Sequence, residues 1–304
     1  METHWGELPV CDAHVHFFSN RFFAGLAEQK GLTAEALQPL LGWEIPGPDI
    51  TLLADRWTEE LDRHHVDCAA LIASVPGDHA SVMDAVRRHP SRFRGYMMVN
   101  PVGAECLAHI EAALTSGLMH GLCFFPAMHR YSVQDGSVGA LLDRVSAARP
   151  STVIFVHCGV LSVGVRKKLG LPSLFDMRFS NPIDLHAVAL RYPQLRFVVP
   201  HFGAGYFREA LMLCDLCPNV YLDTSSTNGW MRYEEAHLDL RTVFRRALDV
   251  VGPQRLLFGT DSSFFPRGWV GNIFEVQTKA LYELGVDARA ARMILHDNFI
   301  RLFE

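Results

Sequence analysis

Near the start of the chain, Asp12-Ala13-His14-Val15-His16 ends a short apolar stretch. In an extended strand alternate side chains share a side, so His14 and His16 are expected about 7 Å apart at Cα and facing one way. Two neutral imidazoles so placed can share one metal ion. Asp12 is expected on that same side, one step deeper, as a carboxylate that orients a ligand imidazole. Two histidines one residue apart arise often by chance, so the pattern gains weight only if the rest of the chain supplies further ligands.

The elements that must position them follow from the periodicity. Val10 to His16 reads as strand one, and residues 17–55 break the pattern with aromatics, prolines and glycines, as a loop insertion with a short helix of its own over the end of that strand. Arg56 to His65 has a helical pattern, with Thr58 as its expected N-cap, and Cys68 to Ala73 reads as strand two. The alternation then repeats, with strands three to eight expected at Phe93–Val99, Gly121–Phe125, Thr152–His157, Arg196–Pro200, Val220–Asp223 and Arg255–Gly259. Apolar strands joined by helical crossovers imply a parallel sheet buried on both faces. Eight of them favour a single closed (β/α)8 TIM barrel over an open sheet, with one domain spanning residues 1–304.

In such a barrel the active site lies at the C-terminal ends of the strands. Strand one ends in His14 and His16, strand five in His157, strand six in His201 and strand eight in Asp261. Four histidines and a carboxylate would thus converge on one mouth, an N/O set suited to Zn²⁺ or another divalent transition metal.

The order Asp-x-His-x-His, His157-Cys-Gly, His201-Phe-Gly and Gly259-Thr-Asp261 resembles the amidohydrolase superfamily. The phrases Arg191-Tyr-Pro-Gln-Leu-Arg-Phe-Val-Val-Pro-His201 and Ile294-Leu-His-Asp-Asn298-Phe-Ile-Arg-Leu-Phe303 are similar to its amidohydrolase 2 branch, which holds aminocarboxymuconate-semialdehyde decarboxylase, aromatic-acid decarboxylases and lactone hydrolases. The resemblance implies that His14, His16, His157 and Asp261 hold one metal ion, with zinc the first choice. Two-metal members use a lysine at the end of strand four, where this chain reads Gly121-Leu-Cys-Phe-Phe-Pro126. His201 then becomes a residue that hydrogen-bonds or deprotonates the metal-bound water, and Asp261 a second candidate for moving that proton. Three readings follow: a metal-dependent hydrolase of a small amide, ester or lactone, with or without a carboxylate; a non-oxidative decarboxylase on the same ligands; and a metal- or ligand-binding protein without catalysis. The resemblance also suggests a homodimer.

Substrate signals are softer. Arg166, Lys167, Lys168 and Arg178 fall after strand five and Arg267 after strand eight, where Arg178 and Arg267 could grip a substrate carboxylate or form a solvated basic surface. Phe125 and His129, at and after strand four, could reach the pocket, with core packing the alternative for Phe125. The 49% hydrophobic and 20% charged composition marks a folded globular chain, and the net charge of -5 gives no footprint for nucleic acid. The start has no secretory pattern and no stretch is a membrane span. Seven cysteines with apolar neighbours suit free buried thiols in a reducing compartment, so the cytoplasm is the expected location.

Overall fold

The computed structural model describes residues 1–103, 107–225, 229–234 and 238–304. Eight parallel strands, β1 (Cys11–Phe17), β2 (Cys68–Ala73), β3 (Phe93–Val99), β4 (Gly121–Phe124), β5 (Val153–Val156), β6 (Arg196–Val199), β7 (Val220–Asp223) and β8 (Leu256–Leu257), pair in sequence order. Backbone bonds close the sheet between its edges: Ala13 N–H to Phe258 O at 2.8 Å, Asp261 N–H to His14 O at 2.9 Å and His16 N–H to Ser262 O at 2.7 Å. The fold is the expected TIM barrel. Its strands are continuously apolar because they are covered twice. Inward residues such as Ala70, Tyr96, Cys123, Phe155 and Val198 fill the barrel, and outward ones such as Leu71, Met97, Leu122, Ile154 and Val199 pack under the helices.

Residues 17–55 are more ordered than a loop. They fold into α1 (Asn20–Glu28), α2 (Gln38–Leu41) and the first turns of α3 (Ile50–Arg63), with an apolar cluster of their own built on Phe22, Phe23, Leu37 and Trp43. α3 starts six residues earlier than expected, because the Asp49 carboxylate caps it by accepting the Thr51 N–H. Thr58 is therefore no N-cap; it lies inside the helix and its hydroxyl donates to Ala54 O. Residues 17–55 form a cap that is stitched to the segment after β5 by Lys30 Nζ to Leu169 O and Lys168 Nζ to Leu41 O, and Arg166 is spent on Pro172 O and Gln29.

The cysteine expectation needs correction. Cys11 and Cys68 are register partners on β1 and β2, 4.7 Å apart at Cα, and form a disulfide. A separation of 57 residues hid that adjacency. Cys123, Cys158, Cys214 and Cys217 are free and buried, whereas Cys106 and His237 lie outside the described residues. No helix among the described residues is long and apolar enough to cross a membrane.

One half-buried imidazole ties this fold to pH. His120, just before β4, accepts the Gly95 N–H at Nδ1 (3.1 Å), and its backbone N–H donates to Gly95 O. Burial, with Arg149 and Arg94 nearby, pushes its pKa down from 6.5 to about 4. The unfolded chain takes up that proton first, so the stability is whole above pH 6.5 and is lost as pH falls towards 4. Urea midpoints should drop between pH 7.5 and 5. His120→Asn, which keeps an acceptor but cannot titrate, should narrow that gap by about 1 kcal/mol; an unchanged gap would take His120 out of the account.

Candidate metal centre

β1 presents its histidines through a slip in register. Asp12 pairs with Ala69 and Val15 with Leu71, so Ala13 and His14 together face one residue of β2. Such a bulge reverses the facing of everything beyond it. Cys11 and Ala13 face into the barrel before it, while Val15 and Phe17 face outward after it. The His14 ring accordingly lies edge-on to the inner ring of Phe155, centroids 5.1 Å apart. Asp12 keeps the phase of outward-facing Val10, which corrects the expectation that it shares the histidines' side.

Its role is corrected with its position. The Asp12 carboxylate accepts the backbone N–H of His14 (2.9 Å) and of Thr260 (3.0 Å), the Thr260 hydroxyl (2.5 Å) and the Trp269 indole N–H (2.8 Å). It holds the backbone of two strand ends, and no imidazole. Burial pushes its carboxyl up to about 6 against the pull of those donors.

The residue that orients the His14 ring is Asp223, at the end of β7, whose Oδ2 lies 2.6 Å from His14 Nδ1. Ser225 Oγ lies 2.9 Å from the same nitrogen, and Ser74 Oγ lies 2.9 Å from His16 Nδ1. With both Nδ1 atoms engaged, the two Nε2 atoms turn to a common point, 3.4 Å apart. Asp261 joins them from a left-handed backbone (φ 60°), its Oδ1 3.3 Å from His16 Nε2 and 3.6 Å from His14 Nε2. Ligand atoms around a tetrahedral ion with bonds of about 2.0–2.1 Å stand about 3.4 Å from one another. The triangle of 3.4, 3.3 and 3.6 Å therefore fits a divalent ion of that size. Burial works against the charge on Asp261, but the bond with His16 and the nearby His14 and His201 hold its carboxyl below the usual range.

Around the triangle stand two more imidazoles. His201 turns Nδ1 to Ser225 O at 2.9 Å, and its ring centre lies 5.0 Å from that of His14. Burial and His14 lower its pKa, so the ring is neutral and the Nδ1–H bond to the carbonyl leaves Nε2 with a lone pair. His157 is 5.3 Å from His201 between ring centres and stacks on Phe125 at 5.5 Å. It stands outside the three-residue group whose ligand atoms all lie within 4.8 Å of one another. Its Nδ1 is buried without a hydrogen-bond partner, a costly state that a bound ion or ordered water relieves. Gly159 allows this packing: its φ is +75° and a Cβ there would strike the backbone carbonyls of Gly203 and Ala204.

The remaining candidates separate. Arg267 donates to Ser263 Oγ at 2.8 Å and to Asp261 O at 3.3 Å and lies over the Phe264 ring, beside the cluster. Arg178 is 82% exposed and is engaged by both oxygens of Asp176, so the geometry gives it no link to the cluster. His129 ends the short helix Pro126–His129 and faces Tyr131; burial pushes its pKa to about 4, which keeps it neutral, and its Nδ1 has no partner. Sequence reasoning passed over Asp223, Ser225, Ser74 and Thr260. Asp223 had a signal, since it closes a strand at the same end as the histidines, whereas the hydroxyls had none.

A probable 2-pyrone-4,6-dicarboxylic acid hydrolase from Acinetobacter baumannii, crystallised with citric acid, superposes over 97% of this chain and 99% of its own with a TM-score of 0.63 and 14% identity. A zinc-bound amidohydrolase from Burkholderia multivorans covers 97% and 99% with a TM-score of 0.60 and 17% identity. Such likeness shows the fold alone. In sequence, Protein fluG of Emericella nidulans is 31% identical over 175 residues, 54% of this chain but only 19% of that protein. The family model described as Amidohydrolase matches residues 11–304, and the chain belongs to that family.

Proposed function

We propose that the chain is a metal-dependent hydrolase that opens a small carboxylated amide, ester or lactone. The observation that carries this reading is the convergence of His14 Nε2, His16 Nε2 and Asp261 Oδ1 at ligand spacing beside the neutral ring of His201. His14, His16 and Asp261 would hold the ion, with His157 beside them. Zinc is the first choice for such donors. When bound, such an ion acidifies water to a pKa of about 7 and polarises a carbonyl. His201 Nε2 or the second oxygen of Asp261 takes the proton from the attacking water and returns it to the leaving group. Asp223 holds the His14 ring through Nδ1, and Arg267 offers a guanidinium to a substrate carboxylate. The two barrel neighbours, a probable dicarboxylic acid hydrolase and a zinc-bound amidohydrolase, support the reading.

Protein purified without chelators should carry about one zinc per chain by mass spectrometry, and a His14→Ala, His16→Ala double variant almost none. Full metal content in the double variant would dismantle the site. Asp223→Asn should weaken zinc binding about 10- to 100-fold. A panel of carboxylated lactones, amides and aromatic acids, assayed in parallel for ring or amide opening and for CO₂ release, separates hydrolase from decarboxylase. Ring or amide opening without CO₂ is expected. CO₂ release alone would transfer the same ligands to a carboxy-lyase. On the substrate that reacts, Arg267→Met should raise KM about tenfold with kcat less affected.

A further inference from the structure

Trp269 and Glu60 take no part in the chemistry above, yet a buried polar chain runs through them to the ligands. Glu60, on α3, is 4% exposed and accepts the Trp269 backbone N–H at Oε1 (3.0 Å). Its other oxygen pairs with Arg63. Gly268, at φ +65°, sits against that carboxylate so closely that a Cβ would collide with Oε1. The Trp269 indole N–H then reaches Asp12 Oδ2 at 2.8 Å, and Asp12 Oδ1 takes the backbone N–H groups of His14 and Thr260. A parallel branch runs from Val270 N–H to Ser262 Oγ (3.0 Å) and on to Thr260 Oγ1 (2.6 Å). Asp261 lies between those two hydroxyl residues.

Resting on the metal-centre reading above, we propose that Trp269 and Glu60 are positioning residues of that centre, which set His14 and Asp261 through the carboxylate of Asp12. The physical reason is the shape of the triangle. Its corners come from two segments, β1 and the residues after β8, and the span from His14 Nε2 to Asp261 Oδ1 (3.6 Å) is set by how those segments are held together. Asp12 bonds to both, and a carboxylate with four donors is oriented only while each donor stays in place. Trp269 is the one of the four that lies away from the seam, further along the loop after β8 and next to α3. Glu60 locks its backbone, so a helix outside the barrel fixes the spacing of ligands inside it.

Trp269→Phe deletes the indole N–H and keeps most of the packing, and Glu60→Ala deletes the lock from a distance. Glu60→Gln keeps an acceptor for Trp269 N–H and serves as the conservative rescue. Two measurements are made on the full chain: zinc affinity by competition with a chromophoric chelator, and hydrogen exchange of the His14 and Thr260 amides in metal-free protein. Trp269→Phe and Glu60→Ala should each bind zinc about 10- to 100-fold more weakly. Each should expose the two amides to exchange at least tenfold faster, and Glu60→Gln should stay within about threefold of the parent in both. Unchanged amide exchange in Trp269→Phe and Glu60→Ala overturns the proposal whether or not zinc binds. If the amides exchange faster while zinc affinity holds, Trp269 is a packing residue of the barrel seam and the proposal also fails. Absence of zinc binding in the parent protein instead overturns the metal-centre reading and, with it, this role.

Discussion

The bulge at Ala13 and His14 is the constraint on which the site depends. β1 has to contribute small residues, Cys11 and Ala13, to the inside of the barrel, and a few residues later has to aim two imidazoles into its mouth. Strict alternation cannot put Cys11, Ala13, His14 and His16 on one face, and one extra residue in β1 can. The same slip leaves Asp12 facing outward, where its carboxylate takes donors from His14, Thr260 and Trp269. Barrel closure and ligand placement are therefore a single event, since Asp261 N–H binds His14 O and His16 N–H binds Ser262 O along the same seam.

The charge at the seam points the same way. Asp12 and Asp223 are fully buried and Asp261 is 32% exposed, while the rings of His157 and His201 are held neutral by their surroundings. His14 is driven in the other direction, because Asp223 and the other carboxylates outweigh the burial that opposes its charge. Two carboxylates, Asp223 and Asp261, face one ring that can become cationic, and with Asp12 behind the strand they make a region of negative potential. Buried charge of one sign is costly unless a counter-charge occupies the site, and a divalent ion between His14, His16 and Asp261 would supply one in place of the direct His16–Asp261 contact, with the Nδ1 bonds of both histidines intact.

How much of this was legible depended on whether the signal was local. The strands Cys68–Ala73 and Phe93–Val99 could be read to the residue, because a buried parallel strand is a plain apolar run. The ends of those runs pointed to His14, His16, His157, His201 and Asp261, because the barrel itself sends strand ends to one mouth. What stayed hidden was set by neighbours distant in sequence. The Asp12 side was lost to a bulge that only pairing with β2 reveals, and the Cys11–Cys68 bridge to a register that no spacing records. Asp49 displaced Thr58 as a cap because a propensity pattern locates a helix better than its first turn.

The loops separate the candidate metal cluster from the basic residues around it. Three of the basic residues that a reading of the chain would send to the mouth are committed elsewhere: Arg166 and Lys168 stitch the cap to the segment after β5, and Arg178 is neutralised by Asp176. Arg267 differs because its anchor is the site itself, the carbonyl of Asp261 and the hydroxyl of Ser263, with Phe264 beneath it. Phe264 in turn stacks on Trp43 of the cap at 3.7 Å between ring centres, and Phe18 tilts over His16 at 5.5 Å. The side chain is exposed, so these contacts bias the guanidinium towards the cluster, and a carboxylate drawn there would cost less side-chain freedom than one held by an unanchored arginine. The cap thus reaches His16 through Phe18 and Arg267 through Trp43 and Phe264, so under the proposed hydrolase reading a change at Trp43 would act on the guanidinium and leave His14, His16 and Asp261 in place.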